Sequence, residues 1–184
     1  DLLADGTITS WRNGPDAGKR VSFGGANLRI YRDAASPSGI ASVVDQQFAI
    51  ASEILDAGLV PIIEPEVTIS ISDKAEAEDI LLAEIKKQLD ALSPDQKVML
   101  KLTLPETANL YKPLVDHPQV VRVVALSGGY SREESNNRLS KNTGMIASFS
   151  RALSEGLSAK QSADEFNATL SNSIDEITAA SMAG

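Results

Sequence analysis

The stretch Val98-Met99-Leu100-Lys101-Leu102-Thr103 decides the fold of this chain. Its apolar and β-branched residues predict a strand that is buried on both faces. Lys101 lies in the middle of that strand, and a buried ammonium group is costly unless it is paired or chemically used. The stretch therefore indicates either an ion pair that reaches water at the strand end or an amine that takes part in catalysis.

A second apolar stretch, Pro61–Val67, supplies carboxylates for that lysine. Glu64 and Glu66 lie two residues apart, and side chains alternate along a strand, so both carboxylates are expected on one face. Two such strands bring a lysine and a carboxylate pair into a mostly apolar interior. This arrangement suits an amine nucleophile with a nearby acid or base, as in Schiff-base chemistry on a carbonyl substrate. An ion pair without a chemical role is the alternative.

Five stretches have the character of strands: Asn27–Tyr31, Pro61–Val67, Val98–Thr103, Val120–Leu126 and Met145–Ser150. Helical patterns separate them, which predicts an α/β fold of parallel strands joined by helical crossovers. No Gly-x-Gly-x-x-Gly follows a strand, so the fingerprint of a dinucleotide-binding fold is absent. Polar residues lie inside the strands or at their C-terminal ends, where a (β/α) barrel builds its active site.

Helices are expected over about residues 40–55, from Asp73 to Leu92, over 105–116, from Ser131 to Lys141 and from Ser158 to Ala180. Asp73 with Glu76, and Ser131 with Glu134, have the spacing of capping boxes. The last helix is expected to turn these residues toward the core: Ala163, Phe166, Leu170, Ile174 and Ile177. Residues 1–25 have turn signals and little periodicity, so we assign them to a loop-rich segment and residues 26–184 to the folded domain.

The composition excludes several classes of function. The chain has 184 residues and a net charge of −8 without a basic stripe, which argues against nucleic acid as a partner. Cysteine is absent and His117 is the only histidine, so neither a disulfide framework nor a metal site is predicted. No apolar run approaches the roughly 20 residues of a membrane span.

A glycine loop, Ser127-Gly128-Gly129, follows the third strong strand and precedes a helix pattern. Such a loop at a helix N-terminus offers backbone N–H groups to an anion such as phosphate. Arg151 follows the next strand, and an arginine adds a bidentate charged contact. A tight turn and a surface ion pair are the simpler alternatives for the two features.

Four segments of the sequence resemble class I fructose-bisphosphate aldolases of the bacterial branch: 58–67, 98–103, 120–134 and 146–153. They occur in the order of the family, and the resemblance covers about residues 39–180. It implies the C-terminal part of a (β/α)8 TIM barrel, with this chain supplying about the last five strand–helix units. It also implies a cytoplasmic lyase of glycolysis that reversibly cleaves fructose 1,6-bisphosphate to dihydroxyacetone phosphate and glyceraldehyde 3-phosphate, without a metal or another cofactor.

The resemblance implies a role for each candidate residue. Lys101 matches the Schiff-base lysine, Glu64 the acid/base glutamate and Glu66 its companion. The positions that hold a substrate phosphate are matched by Ser127, Gly128 and Arg151, and Gly129 belongs to the same loop.

Two features depart from the family pattern. An ungapped extension upstream from Glu64 puts Asn27 where the family has a lysine, and Arg29 on a family arginine that is a candidate substrate contact. Asparagine cannot supply the charge of a lysine. The family also has a catalytic aspartate on its first strand, and this sequence has no counterpart for it. The open alternatives are a phosphate-binding fragment without turnover and an aldolase for another sugar phosphate.

The number of strands leads to an expectation about assembly. Five parallel strands cannot close a barrel that needs eight. The inward side chains of Ile62, Met99 and Val124 are then expected to face water. Because open edges and apolar faces recruit partners, the sequence predicts a homo-oligomer if this chain is the whole molecule. The alternative is a longer chain whose further strands cover the open faces.

Overall fold

A computed structural model describes residues 35–184, which form a parallel sheet of four strands with helices between them. The strands are β1 (Ile62–Ile63), β2 (Val98–Thr103), β3 (Val120–Leu126) and β4 (Ile146–Ala147), and they neighbour one another in that order. The helices are α1 (Pro37–Asp56), α2 (Lys74–Asp90), α3 (Lys112–Val115), α4 (Arg132–Leu139), α5 (Arg151–Ser154) and α6 (Ala163–Ala183). The α/β class and the parallel direction of the strands are as predicted, and they fit one part of a (β/α) barrel.

The two long strands, β2 and β3, have the bounds that the sequence predicts. They pair in parallel, with Lys101 opposite Val124. Leu100 and Leu102 are fully buried in the core that the sheet shares with the helices. Because side chains alternate along a strand, Lys101 lies on the opposite face of the sheet from this core.

The two outer strands are shorter than predicted. The sequence predicts Pro61–Val67 and Met145–Ser150, whereas the structure pairs only two residues in each strand. In the first segment, Pro65 has no N–H to donate to a ladder. Buried and half-buried residues nevertheless keep alternating as far as Val67, which places Glu64 and Glu66 on one side as expected.

Thr103 ties the segment after β1 to the end of β2. Its buried hydroxyl accepts a hydrogen bond from the Val67 N–H at 3.0 Å and donates one to the Val67 carbonyl oxygen at 3.2 Å. These two bonds hold Val67 beside β2, beyond the point where the backbone hydrogen bonds of β1 end. The segment that carries the two glutamates is thereby held beside the strand that carries Lys101.

The predicted helix starts are confirmed in part. Ser131 caps α4 by accepting a hydrogen bond from the Glu134 N–H, as its spacing predicts. Asp73 occupies the N-cap position of α2, but its side chain makes no capping hydrogen bond, so the capping box expected with Glu76 is wrong. The predicted helix over residues 105–116 is reduced to Lys112–Val115, and turns make up most of the rest.

The last helix begins at Ala163 rather than at Ser158. Ser162 and Glu165 form a complete capping box, in which each side chain accepts a hydrogen bond from the backbone N–H of the other residue. This reciprocal cap satisfies two N–H groups at the helix start. At Ser158 only half of such a cap forms, because Gln161 accepts from the Ser158 N–H while the Ser158 hydroxyl accepts from the Lys160 N–H.

The buried face of α6 also differs from the predicted one. Phe166 and Ile174 are 38% and 47% exposed, whereas Ser173 and Ala180 are buried. The helix contacts α4, α5 and β4. Of the other predicted core residues, Leu170 and Ile177 are half-buried, Ile177 packs against the core, and Ala163 is exposed.

The expectation that Met99 and Val124 face water is wrong. They are 8% and 7% exposed, and Ile62 is half-buried. In the register of β2 and β3, Arg122 lies opposite Met99 and Lys101 opposite Val124. A long cationic side chain thus stands beside each of these apolar residues, and the aliphatic stems of such side chains cover apolar neighbours. The homo-oligomer therefore stays a prediction without support from these residues.

Several expectations lie outside the described residues. These are the strand Asn27–Tyr31, the assignments of Asn27 and Arg29, and the boundary between residues 1–25 and 26–184. Among residues 35–184, no helix is both long enough and apolar enough to cross a membrane.

Replacing Thr103 with valine keeps the shape of the side chain and removes both hydrogen bonds to Val67. We expect the free energy of unfolding to fall by about 1–3 kcal/mol, because buried backbone groups lose their partner. Urea unfolding measures the change. Thr143→Val is the matched control, since Thr143 is exposed and only its backbone N–H forms a hydrogen bond. Equal losses in the two variants would contradict the role assigned to Thr103.

The cap of α6 makes a prediction about pH. Hydrogen bonds from the backbone N–H and the hydroxyl of Ser162 hold the pKa of Glu165 below its ordinary value of 4.5. Because this pKa is lower in the folded state, the stabilisation is present above about pH 4.5 and is lost as the pH falls through the folded value. The difference in unfolding free energy between wild type and Glu165→Gln should therefore shrink below pH 4.5. A difference in unfolding free energy that stays constant down to pH 3 would show that ionised Glu165 does not stabilise the folded state.

Candidate active site

Lys101 and Glu64 form the centre of the candidate site. Nζ of Lys101 lies 2.7 Å from Oε1 of Glu64, and the two side chains are 25% and 13% exposed. The register that pairs Ile63 with Leu100 brings Glu64 beside the lysine. The pair is partly shielded from water but not sealed, so a small molecule can reach the amine. The structure thus joins two of the predicted residues directly.

Glu66 lies on the same side of its segment as Glu64 and is half-buried. Successive residues on one face of an extended chain are about 7 Å apart. The ion pair of Lys101 is with Glu64, and Glu66 lies one such step further toward the C-terminal edge of the sheet. The two glutamates therefore lie on one side of the segment, as predicted. Glu64 contacts the amine of Lys101, and Glu66 lies further along the segment.

The glycine loop follows β3 directly. Gly128 and Gly129 have φ angles of +61° and +112°, a region that favours glycine. The Tyr130 N–H donates to the Ser127 carbonyl oxygen at 2.9 Å and closes the turn. A Cβ on Gly128 would lie 2.9 Å from Cγ2 of Ile69. Both backbone geometry and space therefore require glycine in this loop.

The backbone N–H groups of Gly128 and Gly129 make no hydrogen bond with any other described residue. Ser127, whose side chain is buried, follows Leu126, and Leu126 lies opposite Thr103 in the sheet. The loop therefore lies at the C-terminal edge of the sheet, beyond the level of Lys101, which is opposite Val124. Two unpaired N–H groups beside a helix N-terminus offer a site for an anion.

Arg151 is the first residue of α5 and is exposed. Its guanidinium forms no hydrogen bond or ion pair with any residue of the described part, so the structure does not bear out the surface-pair alternative. Since α5 follows β4, Arg151 lies beyond the C-terminal edge of the sheet, like the glycine loop. No hydrogen bond joins it to that loop.

An ion cluster with a buried centre, which the sequence patterns did not indicate, lies next to the glycine loop. We define it as Lys74, Glu78, Glu106, Tyr130 and Arg138. Lys74 and Glu78 are 3% and 0% exposed, and Nζ of Lys74 lies 2.5 Å from Oε1 of Glu78 and 3.3 Å from Oε1 of Glu106. Arg138 lies 3.1 Å from the same Glu106 oxygen.

The ionisation of the cluster follows from its surroundings. Burial raises the pKa of Glu78, although the Glu106 N–H and Lys74 both donate hydrogen bonds to its carboxylate. Burial acts in the same direction on Glu106, but the charge of Lys74, the Tyr130 hydroxyl and the charge of Arg138 outweigh it and leave the pKa of Glu106 below its ordinary value. Burial also raises the pKa of Tyr130 well above its usual range, so its hydroxyl stays a hydrogen-bond donor.

Part of this cluster is visible in the sequence. Lys74 and Glu78 are four residues apart, as are Glu134 and Arg138, and such pairs meet on one face of a helix. Their convergence on Glu106 comes from the packing of α2 and α4 against the turn after β2, which no local pattern predicts.

The only histidine of the sequence has a structural partner. His117 lies in a turn, as expected, with Nε2 3.0 Å from Oδ1 of Asp90. Within residues 35–184, no group of three His, Cys, Asp or Glu side chains is arranged to hold a metal ion.

Comparison with known proteins agrees with this geometry. No protein-family model matches the chain. The sequence is 54% identical over 164 residues to the class 1 fructose-bisphosphate aldolase of Synechocystis sp., a match that covers 89% of this chain and 55% of the relative. It is 56% identical over 158 residues to the protein of the same name from Clostridium acetobutylicum, covering 86% of this chain and 54% of the relative.

The chain is similar in sequence to two class 1 fructose-bisphosphate aldolases. The resemblance carried by the four segments of sequence is thereby confirmed. The chain spans about half the length of the curated aldolases it matches.

The tight fit of the glycine loop predicts different costs for two glycine substitutions. Gly128→Ala and Gly58→Ala both place alanine at a positive φ, but a Cβ at Gly58 meets nothing within 4 Å. We expect Gly128→Ala to lower the free energy of unfolding by about 1–3 kcal/mol more than Gly58→Ala, because its Cβ overpacks against Ile69 and Thr103. Urea unfolding compares the two. Equal costs would show that the loop adapts without strain.

Proposed function

We propose that this chain carries the Schiff-base site of a class I fructose-bisphosphate aldolase. The observation that carries the proposal is the ion pair of Lys101 and Glu64, with 2.7 Å between Nζ and Oε1, on the opposite face of the parallel sheet from Leu100 and Leu102 of the core. The glycine loop at the same sheet edge supports it, as do the names of the two aldolase relatives.

The first chemical step assigned to the pair is imine formation. Attack by Nζ of Lys101 on the ketone carbon of fructose 1,6-bisphosphate forms a C–N bond, and the carbonyl oxygen becomes the hydroxyl of a carbinolamine. Glu64 accepts a proton from the amine and returns one to that hydroxyl, which leaves as water. The contact between Nζ and Oε1 lets this proton pass without a bridging group.

Cleavage follows from the electron demand of the iminium ion. The bond between C3 and C4 of the sugar breaks, its electron pair passes into the iminium to give an enamine, and the C4 hydroxyl loses a proton to become the aldehyde of glyceraldehyde 3-phosphate. Protonation of the enamine and hydrolysis of the imine release dihydroxyacetone phosphate. We assign Glu66 as the companion carboxylate, since it lies on the same side of the segment as Glu64.

Phosphate binding is assigned to Ser127, Gly128, Gly129 and Arg151. The unpaired N–H groups of the two glycines and the unpaired guanidinium supply the donors that a phosphate dianion accepts. Arg29 is proposed as a further substrate contact and lies outside the described residues.

The setting of the reaction is also part of the proposal. We assign it to the cytoplasm, to glycolysis and to a homo-oligomer, as the resemblance and the strand count imply. The partner is a phosphorylated sugar rather than nucleic acid, in keeping with the net charge of −8.

Trapping with borohydride tests the imine. Incubation with dihydroxyacetone phosphate and borohydride should place a stable adduct on the peptide that contains Lys101, and Lys101→Met should abolish it. Glu64→Gln should slow trapping by about 10²–10⁴-fold, because proton transfer is lost. Lys87 and Glu84 form a more exposed ion pair with 3.2 Å between Nζ and Oε2, so Lys87→Met and Glu84→Gln are matched controls. A folded wild type without an adduct on the Lys101 peptide would exclude the proposal.

The extent of the match favours a second candidate function. Because the match covers just over half of each aldolase relative, this chain is alternatively a part that binds a phosphorylated sugar without turning it over. Binding of fructose 1,6-bisphosphate by calorimetry without release of triose phosphate would support this candidate. Turnover at enzyme-like rates would exclude it. Comparing fructose 1-phosphate and deoxyribose 5-phosphate as substrates tests whether another sugar phosphate is preferred.

A further inference from the structure

Tyr130 joins the glycine loop to the ion cluster. Its backbone N–H donates to the Ser127 carbonyl oxygen at 2.9 Å, closing the turn that contains both glycines. Its hydroxyl donates to Oε1 of Glu106 at 3.0 Å. Its ring lies under the guanidinium of Arg138, 4.3 Å from the ring centroid. The residue that ends the loop is thus held at its backbone, its ring and its hydroxyl.

Glu106, the acceptor of that hydroxyl, is itself anchored. Oε1 lies 3.3 Å from Nζ of Lys74 and 3.1 Å from Nη1 of Arg138, and the backbone N–H donates to Oε2 of Glu78 at 2.9 Å. Lys74 also donates to the carbonyl oxygen of Leu104 at 2.9 Å. The carboxylate that receives the Tyr130 hydroxyl is therefore fixed to α2, to α4 and to the turn after β2.

That turn is continuous with the strand that carries the lysine. Lys101 and Thr103 belong to β2, and Glu106 follows in the same stretch of chain. The bond between Glu106 and Tyr130 therefore connects the strand of the amine with the loop of the proposed phosphate site. It joins the two ends of one strand–helix–strand unit, β2–α3–β3, through one side-chain contact.

We propose that Tyr130 and Glu106 are positioning residues that set the distance between the glycine-loop N–H groups and the amine of Lys101. The site then favours a small carbonyl compound that carries a phosphate at a fixed distance from its carbonyl carbon. This inference rests on the proposed function. Neither residue acts on the reacting atoms; they preorganise the loop before the phosphate arrives.

The proposal separates the effects on two ketones. Tyr130→Phe keeps the ring over Arg138 and removes only the hydroxyl that Glu106 accepts. The half-saturating concentration of dihydroxyacetone phosphate in borohydride trapping should rise about 3–10-fold, which corresponds to roughly 0.7–1.4 kcal/mol. Trapping of dihydroxyacetone, which has no phosphate, should be unchanged, because the amine and Glu64 are untouched.

Two further variants sharpen the test. Tyr111→Phe is the matched control: Tyr111 is fully buried, and its hydroxyl makes no hydrogen bond with the described residues. It should leave trapping of both ketones unchanged. Glu106→Gln keeps an oxygen that accepts the Tyr130 hydroxyl, so it should restore much of the affinity that Glu106→Ala loses. Amide NMR shifts of Gly128 and Gly129 on titration with inorganic phosphate follow the loop directly, and their midpoint should move by the same factor in Tyr130→Phe.

Each outcome decides the matter. A selective rise for the phosphorylated ketone, with matching NMR midpoints, supports the inference. Unchanged half-saturation in Tyr130→Phe, with a wild type that is trapped, overturns the inference and leaves the proposed function in place. An equal loss for both ketones with a lower melting temperature overturns it as well, since that is a general loss of structure. A wild type with neither trapping nor a phosphate-dependent shift at the two glycines overturns both.

Discussion

The charge of Lys101 is the constraint on which the rest of the site depends. Moving an ammonium group out of water costs of the order of several kcal/mol, and β2 places this one on a strand whose other face is fully buried. Glu64 offsets that cost because β1 lies in register beside β2. The short β1 and the bonds of Thr103 to Val67 keep the glutamate in place, although Pro65 ends the backbone ladder. A residue pair that is expensive to bury is thus built into the centre of the sheet.

One face of the sheet packs into the hydrophobic core, and the other face carries the candidate catalytic lysine. Leu100 and Leu102 pack toward the helices, and their burial provides the hydrophobic core. The opposite face carries Lys101, and the C-terminal edge carries the glycine loop. Functional groups at this edge are characteristic of parallel α/β folds, because the loops that follow parallel strands meet there. The two proteins to which this chain was found similar are named class 1 fructose-bisphosphate aldolase, and the arrangement suits the carbonyl chemistry proposed for the chain.

The ion cluster is a second group of charged side chains, near the pair of Lys101 and Glu64. Among residues 35–184 the ion pair of Lys101 is with Glu64 and not with a member of the ion cluster, yet Glu106 lies in the turn after the same strand and accepts a hydrogen bond from the Tyr130 hydroxyl. Glu78 and Lys74 are almost completely buried, so water competes little for the bond between them, whereas Glu106 and its bond with the Tyr130 hydroxyl are exposed. Clusters of this kind are suited to holding a loop rigid, because each member has more than one partner and no member moves without breaking several bonds.

The sequence by itself determined the elements whose signal is local. The apolar, β-branched residues of β2 and β3 gave their bounds, and Ser131 with Glu134 marked the start of α4, because strand burial and helix capping depend on neighbours within a few residues. The same residues carried the resemblance to the aldolases and named Lys101 and Glu64. Only the tertiary structure decided how far β1 and β4 extend, which face of α6 is buried, and that Glu106, Tyr130 and Arg138 meet. These depend on which distant groups are brought together by packing, and a residue's own neighbours in the chain do not record that.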